Sequence, residues 1–307
     1  MIIRTALPCL ALAAVAFLPI ANTAVSPDPA PPAQDDVVIQ TIPVSGNVSM
    51  LVGQGGNIGV SVGPDGAFLI DDQFAPLTGK ILAAVAELTD HPARYLLNTH
   101  WHGDHTGGNE NMGKEGVVLV AHDNVRKRMS VEQFMEAFNR QVPASPDGAL
   151  PRITFSETVT FHWNGDTVRA THVPNAHTDG DAIVHFEGAN VFHMGDTFFN
   201  GMYPFIDVGS GGGLEGLIAA ADFVLEHSDD DTHIIPGHGP LATPDDLRTY
   251  RGMLETARGR IQALIDDGKT RDEVLAASPT EELDEVWGYG FMKADDFVGY
   301  SFDSLTR

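Results

Sequence analysis

Cysteine is almost missing from this sequence: Cys9 stands alone among 307 residues. One cysteine excludes a disulfide framework, and it excludes a metal cage built of thiolates. Basic residues are scarce as well. Eighteen Lys and Arg face 42 Asp and Glu, giving a formal net charge of −24 at pH 7. A surface of that sign repels phosphate backbones and anionic lipid, so nucleic acid and membrane surfaces are not the expected partners; much of the charge serves solubility. The most apolar run, Ala6 to Leu18, is too short to span a bilayer comfortably, and Pro8 weakens it further. No Ser-His-Asp or comparable nucleophile motif stands out.

The apolar run follows Met1-Ile2-Ile3-Arg4 and precedes the small residues Ala21-Asn22-Thr23-Ala24. Basic start, apolar middle and small-residue end describe a secretory signal peptide over residues 1–24. Ser26-Pro27-Asp28-Pro29-Ala30-Pro31-Pro32 then predicts a proline-rich linker, residues 25–35. The expected mature chain is periplasmic or secreted, has no membrane contact once the signal is cleaved, and has no cysteine, because Cys9 leaves with the signal and lies too early to carry a lipid. Residues 36–307, about 270 in all, are ample for one core without disulfides.

Alternation predicts short strands at Val37 to Val44, Val48 to Val52, Ile58 to Val62 and Ala67 to Ile70, the last two joined by Gly63-Pro64-Asp65-Gly66. Helical spacing follows over Leu77 to Leu88, then strands at Tyr95 to Asn98 and Val117 to Ala121, and an amphipathic helix over Asn124 to Phe138. Further strands fall at Thr158 to His162, Thr167 to Val173, Ile183 to Phe186 and Val191 to Met194, with helices at Leu214 to Leu225 and Pro244 to Ile265. Strands and helices interleave without a break in composition. That predicts a single mixed α and β domain.

The densest chemistry is His100-Trp101-His102-Gly103-Asp104-His105, where a strand empties into a loop. Three imidazoles and a carboxylate within six residues suit zinc better than magnesium or calcium. A period of two lets His100 and His102 reach one ion while Asp104 and His105 turn to a second.

Asn98-Thr99-His100-Trp101-His102-Gly103-Asp104-His105 resembles the His-x-His-x-Asp-His signature of the metallo-β-lactamase superfamily. Val173-Pro174-Asn175-Ala176-His177-Thr178, Met194-Gly195-Asp196-Thr197 and Pro236-Gly237-His238-Gly239 resemble its three later ligand segments, in order. The resemblance implies an α+β fold, an αββα sandwich. It implies two zinc ions per chain, one held by His100, His102 and His177, the other by Asp104, His105 and His238, with Asp196 bridging. Asp104 would also orient the metal-bound hydroxide. Asp71 matches the early aspartate that buttresses the histidines, with Asp72 or a helix cap before Leu77 as the alternatives; Asp181 offers a similar carboxylate or a plain turn. His172 and His233 compete with His177 and His238, but both sit in strand-like sequence. His91, His122, His162, His185, His193 and His227 read as surface or core.

The β-lactamases with a cysteine at the Asp196 position use it on the second metal. They also carry a lysine just after it for the substrate carboxylate. Neither residue occurs here, which points to weak β-lactam binding and leaves Arg126, Lys127, Arg128, Arg140 and Arg152 as the basic residues to meet a small-molecule substrate. Val52 to Asn57 is a glycine-rich flap or hairpin turn, Phe198 to Phe205 an apolar wall or core, and Gly209 to Gly213 a mobile or ligand-accommodating run. The expected reaction is carbonyl hydrolysis, a β-lactam or other cyclic amide first, a lactone, ester or thioester next. A phosphodiester or sulfate ester, or a metal-dependent binding protein without turnover, are the readings from other classes.

Overall fold

The computed structural model describes residues 36–307. The expected signal peptide and linker, residues 1–24 and 25–35, lie outside the described residues. Strands β1 (Gln40–Ser45), β2 (Val48–Val52), β3 (Ile58–Ser61) and β4 (Ala67–Ile70) form an antiparallel meander. Helix α1 (Thr78–Leu88) then carries the chain back, and β5 (Ala93–Asn98) pairs with β4 in parallel. A parallel neighbour needs such a crossover, whereas an antiparallel one needs only a turn. After the short helices α2 (Gly103–Thr106) and α3 (Asn109–Lys114), β6 (Val118–His122) adds in parallel. Helix α4 (Asp123–Met129) and the small hairpin of β7 (Gln133–Met135) and β8 (Arg140–Val142) precede β9 (Ile153–Phe155), which closes a seven-stranded sheet.

The second sheet repeats the plan. Strands β10 (Thr158–Trp163), β11 (Asp166–His172), β12 (Ala182–Phe186) and β13 (Val191–Phe199) form an antiparallel meander, and α5 (Leu214–Glu226) crosses over to β14 (His233–His238), parallel to β13. Helix α6 (Pro244–Asp266) follows, opened by a capping box of Thr243 and Asp246. Helices α7 (Arg271–Ala276), α8 (Glu281–Trp287) and α9 (Ala294–Leu305), which the sequence reading left unassigned, complete the chain.

Side-chain alternation sorts these strands into layers. On β4, Phe68 and Ile70 point to the second sheet and pack with Val168, Val184, Phe186 and Ile235, while Leu69 points outward to Ile81 and Val85 of α1. On the second sheet, Phe192, Met194 and Ile234 face α5 and α6. Both sheets are therefore apolar on both faces, and the order is helix, sheet, sheet, helix. Truncating a wholly buried side chain such as Phe68 to alanine costs about 3–5 kcal/mol.

The expected helix over Asn124 to Phe138 stops at Met129. The Ser130 hydroxyl bonds back to the Arg126 carbonyl, and residues 133–142 pair as the β7–β8 hairpin instead.

Candidate metal centre

Because β4 and β5 run alike in one sheet, and β11, β13 and β14 run alike in the other, their carboxyl ends collect at one edge of the sandwich. There the seven sequence-predicted ligands meet. His100, His102, His177 and Asp196 form one group, and Asp104, His105 and His238 a second, each with candidate ligand atoms within 4.8 Å of one another. Asp196 touches both. Its Oδ1 lies 3.0 Å from His105 Nε2, and its Oδ2 lies 3.5 Å from His238, 3.6 Å from His177 and 3.8 Å from His100 Nε2.

The partners behind each ring settle which nitrogen faces inward. Thr99 donates its hydroxyl proton to Asp71 at 2.8 Å, so the Thr99 oxygen accepts from His100 Nδ1 at 3.1 Å. His102 Nε2 donates to Asp207 at 2.9 Å, His105 Nδ1 to Asp71 at 2.8 Å, and His177 Nδ1 to the Phe205 carbonyl at 2.7 Å. The remaining nitrogens therefore turn lone pairs into the centre. His102 Nδ1 and His177 Nε2 stand 2.8 Å apart, and His100 Nε2, His105 Nε2 and Asp196 Oδ1 are buried without a hydrogen-bond partner. Converging buried lone pairs repel and cost several kcal/mol in desolvation unless a cation sits among them. The donor set, nitrogen and carboxylate oxygen with a carboxylate or carbonyl behind three of the rings, fits zinc.

The electrostatics agree for His100, His177 and the two carboxylates; at His105 burial opposes the charge, but Asp196, Asp104 and Asp71 raise the imidazole well above its ordinary range. Burial, reinforced by neighbouring imidazoles, pushes His100 well down and His177 to about 4, the state a ligand needs. Burial opposes ionisation of Asp196 and Asp104, but the surrounding histidines hold Asp196 well below the carboxylate range and Asp104 at about 2.

Asp71 stands where the resemblance implied. It follows β4 directly in a left-handed conformation, φ +65°, and its buried carboxylate also accepts from the Thr99 backbone, which ties the segment after β5 to the His105 ring. It does not cap α1. Asp72 accepts from the Gly108 backbone instead, and burial raises its carboxyl well above the usual range. Asp181 is a turn clamp: it accepts from the Thr178 backbone and hydroxyl at 2.7 and 2.6 Å, and burial lifts it to about 8. His172 ends β11, stacked on His122 and bonded to the Asp181 carbonyl, and His233 opens β14; both stay out of the centre.

Asp207 was missed from the sequence. Burial opposes its charge, yet bonds from His102 and from the Ser210 backbone hold it at about 2. Its only local signal was an aspartate opening a turn, which is among the commonest patterns in any chain.

The glycine-rich loop 52–57 is a clamped hairpin turn and not a free flap. Gly56 donates to the Asp104 carbonyl, Asn57 holds the 236–239 segment through three bonds, and a Cβ on Gly56 would meet the His105 ring at 2.1 Å. A Cβ on Gly237 would meet Asp196 Oδ1 at 2.0 Å. In the 209–213 run Gly212 packs against the His177 loop, where a Cβ would stand 2.1 Å from the His177 carbonyl, while Gly209 borders a separate cavity of about 300 Å³. Of the expected aromatic wall, Phe198 and Tyr203 belong to the core, whereas Phe205 faces His102 with ring centroids 5.8 Å apart and Phe199 stacks on His238 at 5.2 Å. Beside the centre lies a cavity of about 310 Å³ lined by Phe74, Met135, Phe138, Arg140, Phe205 and Phe291, together with His102, Asp104, Asp196 and His238. Arg126 bonds the Pro151 carbonyl, Arg128 pairs with Asp179, and Arg152 lines a separate cavity, so Arg140 is the one among the five expected cations that lines this one.

Comparison with known proteins agrees with this geometry. The chain is similar to the lactamase-like protein aptB of Emericella nidulans, 26% identical over 273 residues, 84% of this chain and 79% of that protein. Among solved structures it resembles a metallo-β-lactamase from Pontibacter korlensis, TM-score 0.57 at 18% identity, covering 71% of this chain and 99% of that one. It also resembles the stereoselective inverting sec-alkylsulfatase Pisa1 from a Pseudomonas species, TM-score 0.63 at 17% identity, covering 86% of this chain but only 50% of that one. At such identities the structural likeness is one of fold. Residues 43–238, from β1 to the last histidine of the centre, match the model of the metallo-β-lactamase superfamily, and the chain belongs to that superfamily of metal-dependent hydrolases.

Proposed function

We propose that this protein is an exported hydrolase that binds two zinc ions and opens a carbonyl bond in a small molecule, a cyclic amide or a lactone, ester or thioester. The observation that carries the reading is Asp196, a buried carboxylate whose two oxygens reach histidines of both groups. Bound there, a zinc pair supplies a water made acidic near neutral pH and a Lewis acid for the carbonyl oxygen. His100, His102 and His177 would hold one ion, Asp104, His105 and His238 the other, with Asp196 shared.

The chain's own residues do the rest. Asp71 and Asp207 hold the His105 and His102 rings in one tautomer, so no reorganisation is needed on binding. Asp104, partly exposed at the rim, offers a second oxygen to orient an attacking water. Phe205 and Phe199 cover the histidines from the side and limit access of bulk solvent. With an aspartate at position 196 and no lysine between it and Asp207, a β-lactam carboxylate would lack the partner it has in the cysteine-bearing β-lactamases, so β-lactam binding is expected to be weak unless another cation of the cavity takes that place.

The test is a panel on zinc-replete protein: a β-lactam, a lactone, a thioester, a phosphodiester and an alkyl sulfate. Turnover of a carbonyl substrate is expected. Turnover of only the phosphodiester or sulfate overturns the carbonyl reading, and binding of two ions with no turnover favours a binding protein. Export predicts a mature start between Ala21 and Ala30, measured as intact mass; a mass retaining Met1 to Leu18 contradicts it.

A further inference from the structure

The cavity beside the centre is built from two unlike walls. One is aromatic: Phe74, Phe205 and Phe291 line it, and Phe138 leans on Phe205 with centroids 5.2 Å apart. Phe138 and Phe291 remain 46% and 54% exposed in a chain otherwise dominated by acidic surface. Exposed aromatics that converge on one opening mark a place where an apolar partner is taken out of water.

The other wall is Arg140. In the β7–β8 hairpin it is the direct cross-strand neighbour of Met135, so both side chains stand on the same face, the one turned to the cavity, while Phe134 and Gln141 take the opposite face. Its guanidinium reaches only the Met135 sulfur, at 3.5 Å, and it forms no ion pair with any described residue. No other Lys or Arg lines the cavity. One unengaged arginine beside an apolar wall fits one anionic group, and the planar fork of guanidinium favours a carboxylate.

We propose that this cavity selects a carbonyl substrate carrying an apolar, preferably aromatic, group and a single carboxylate, with Phe138 and Phe291 gripping the first and Arg140 pairing with the second. The proposal rests on the carbonyl-hydrolase reading and adds its substrate class. The hairpin that supplies Met135, Phe138 and Arg140 belongs to neither main sheet, so its sequence sets specificity without disturbing the metal centre.

The experiment has two arms on zinc-loaded protein. In the first, kcat/KM is compared for p-nitrophenyl butyrate, p-nitrophenyl 4-phenylbutyrate and an aryl-substituted glutarate mono-p-nitrophenyl ester bearing a free carboxylate. The wild type is expected to prefer the aromatic acid, and Arg140→Gln to cut the ratio of anionic to neutral rates about tenfold or more, chiefly through KM, with part restored by Arg140→Lys. Phe138→Ala with Phe291→Ala should erase the preference for the phenyl ester over the butyrate. In the second, calorimetry compares 4-phenylbutyrate with 4-phenylbutan-1-ol, which needs no turnover. A carboxylate preference that falls in Arg140→Gln supports the proposal even if every ester fails and the carbonyl reading with it. Equal binding of acid and alcohol overturns it, and so does an acid preference unchanged in Arg140→Gln, since the metals alone would then hold the carboxylate.

Discussion

The two halves of the metal centre are held very differently. His100, His102, His177 and Asp196 are all buried, and each of the three histidines has its outer nitrogen fixed, by Thr99, Asp207 and the Phe205 carbonyl. In the other group the Asp104 and His238 side chains are partly exposed, 29% and 19%, and only His105 is braced by a carboxylate. His238 stacks on the Phe199 ring, and its Nε2 meets only the carboxylates of the centre, Asp104 at 3.3 Å and Asp196 at 3.5 Å, with no partner behind the ring among the described hydrogen bonds. The difference teaches that two neighbouring ligand groups need not be braced equally from behind. The deep group is preorganised before any ion arrives, and the open group gains much of its order from the ion it binds.

That contrast predicts an order of effects. His102→Ala and His177→Ala should abolish turnover, by on the order of 10³-fold or more, and remove the tighter ion, at little cost to the fold because the site lies at strand ends. His238→Ala should retain one tight ion and lose the weaker. Elemental analysis after dialysis distinguishes these outcomes, and equal loss in all three variants would erase the distinction between the groups.

Next come the carboxylates behind the rings. Asp71→Asn and Asp207→Asn should each weaken zinc by about 10- to 100-fold. Asp71→Asn should be the more damaging to the fold, because Asp71 also receives the Thr99 backbone and hydroxyl. Competition with a chromophoric chelator reads the affinity and thermal melts the stability. Gly56→Ala should act through His105 alone: its Cβ has no room beside that ring. It should lower occupancy of the open position while the deep ion stays.

The smallest effect is a pH dependence of the metal-free protein. Burial opposes the charge of His238, but Asp196 and Asp104 hold it up to about 9. A raised histidine contributes stability that is complete below its ordinary value near 6.5 and is lost as pH rises through about 9. The gap in Tm between zinc-loaded and chelated protein should therefore widen from pH 6.5 to pH 9; a constant gap would show that His238 is unpaired without metal.

Legibility in the sequence follows the same division. His100 to His105 crowd one loop, so their chemistry is visible in six letters. His177, Asp196 and His238 each sit in unremarkable sequence and came from resemblance to a family; what joins them is the parallel run of β11, β13 and β14. Asp207 was invisible because its partner is 105 residues away. Strand β7 falls inside the helix expected over Asn124 to Phe138, because Val125, Met129, Met135 and Phe138 approximate helical spacing, and only pairing with Arg140 to Val142 decides otherwise.

The sequence by itself determined the chemical class of the site and the placing of most strands, since these depend on residue type and short-range period. Only the tertiary structure decided which nitrogen of each histidine faces inward, which carboxylate stands behind it, and that Arg140 and not Arg126, Arg128 or Arg152 lines the cavity. Those facts depend on where strand ends from two sheets meet. That meeting is fixed by crossovers and by close packing at Gly56 and Gly237, interactions between residues that no local pattern connects.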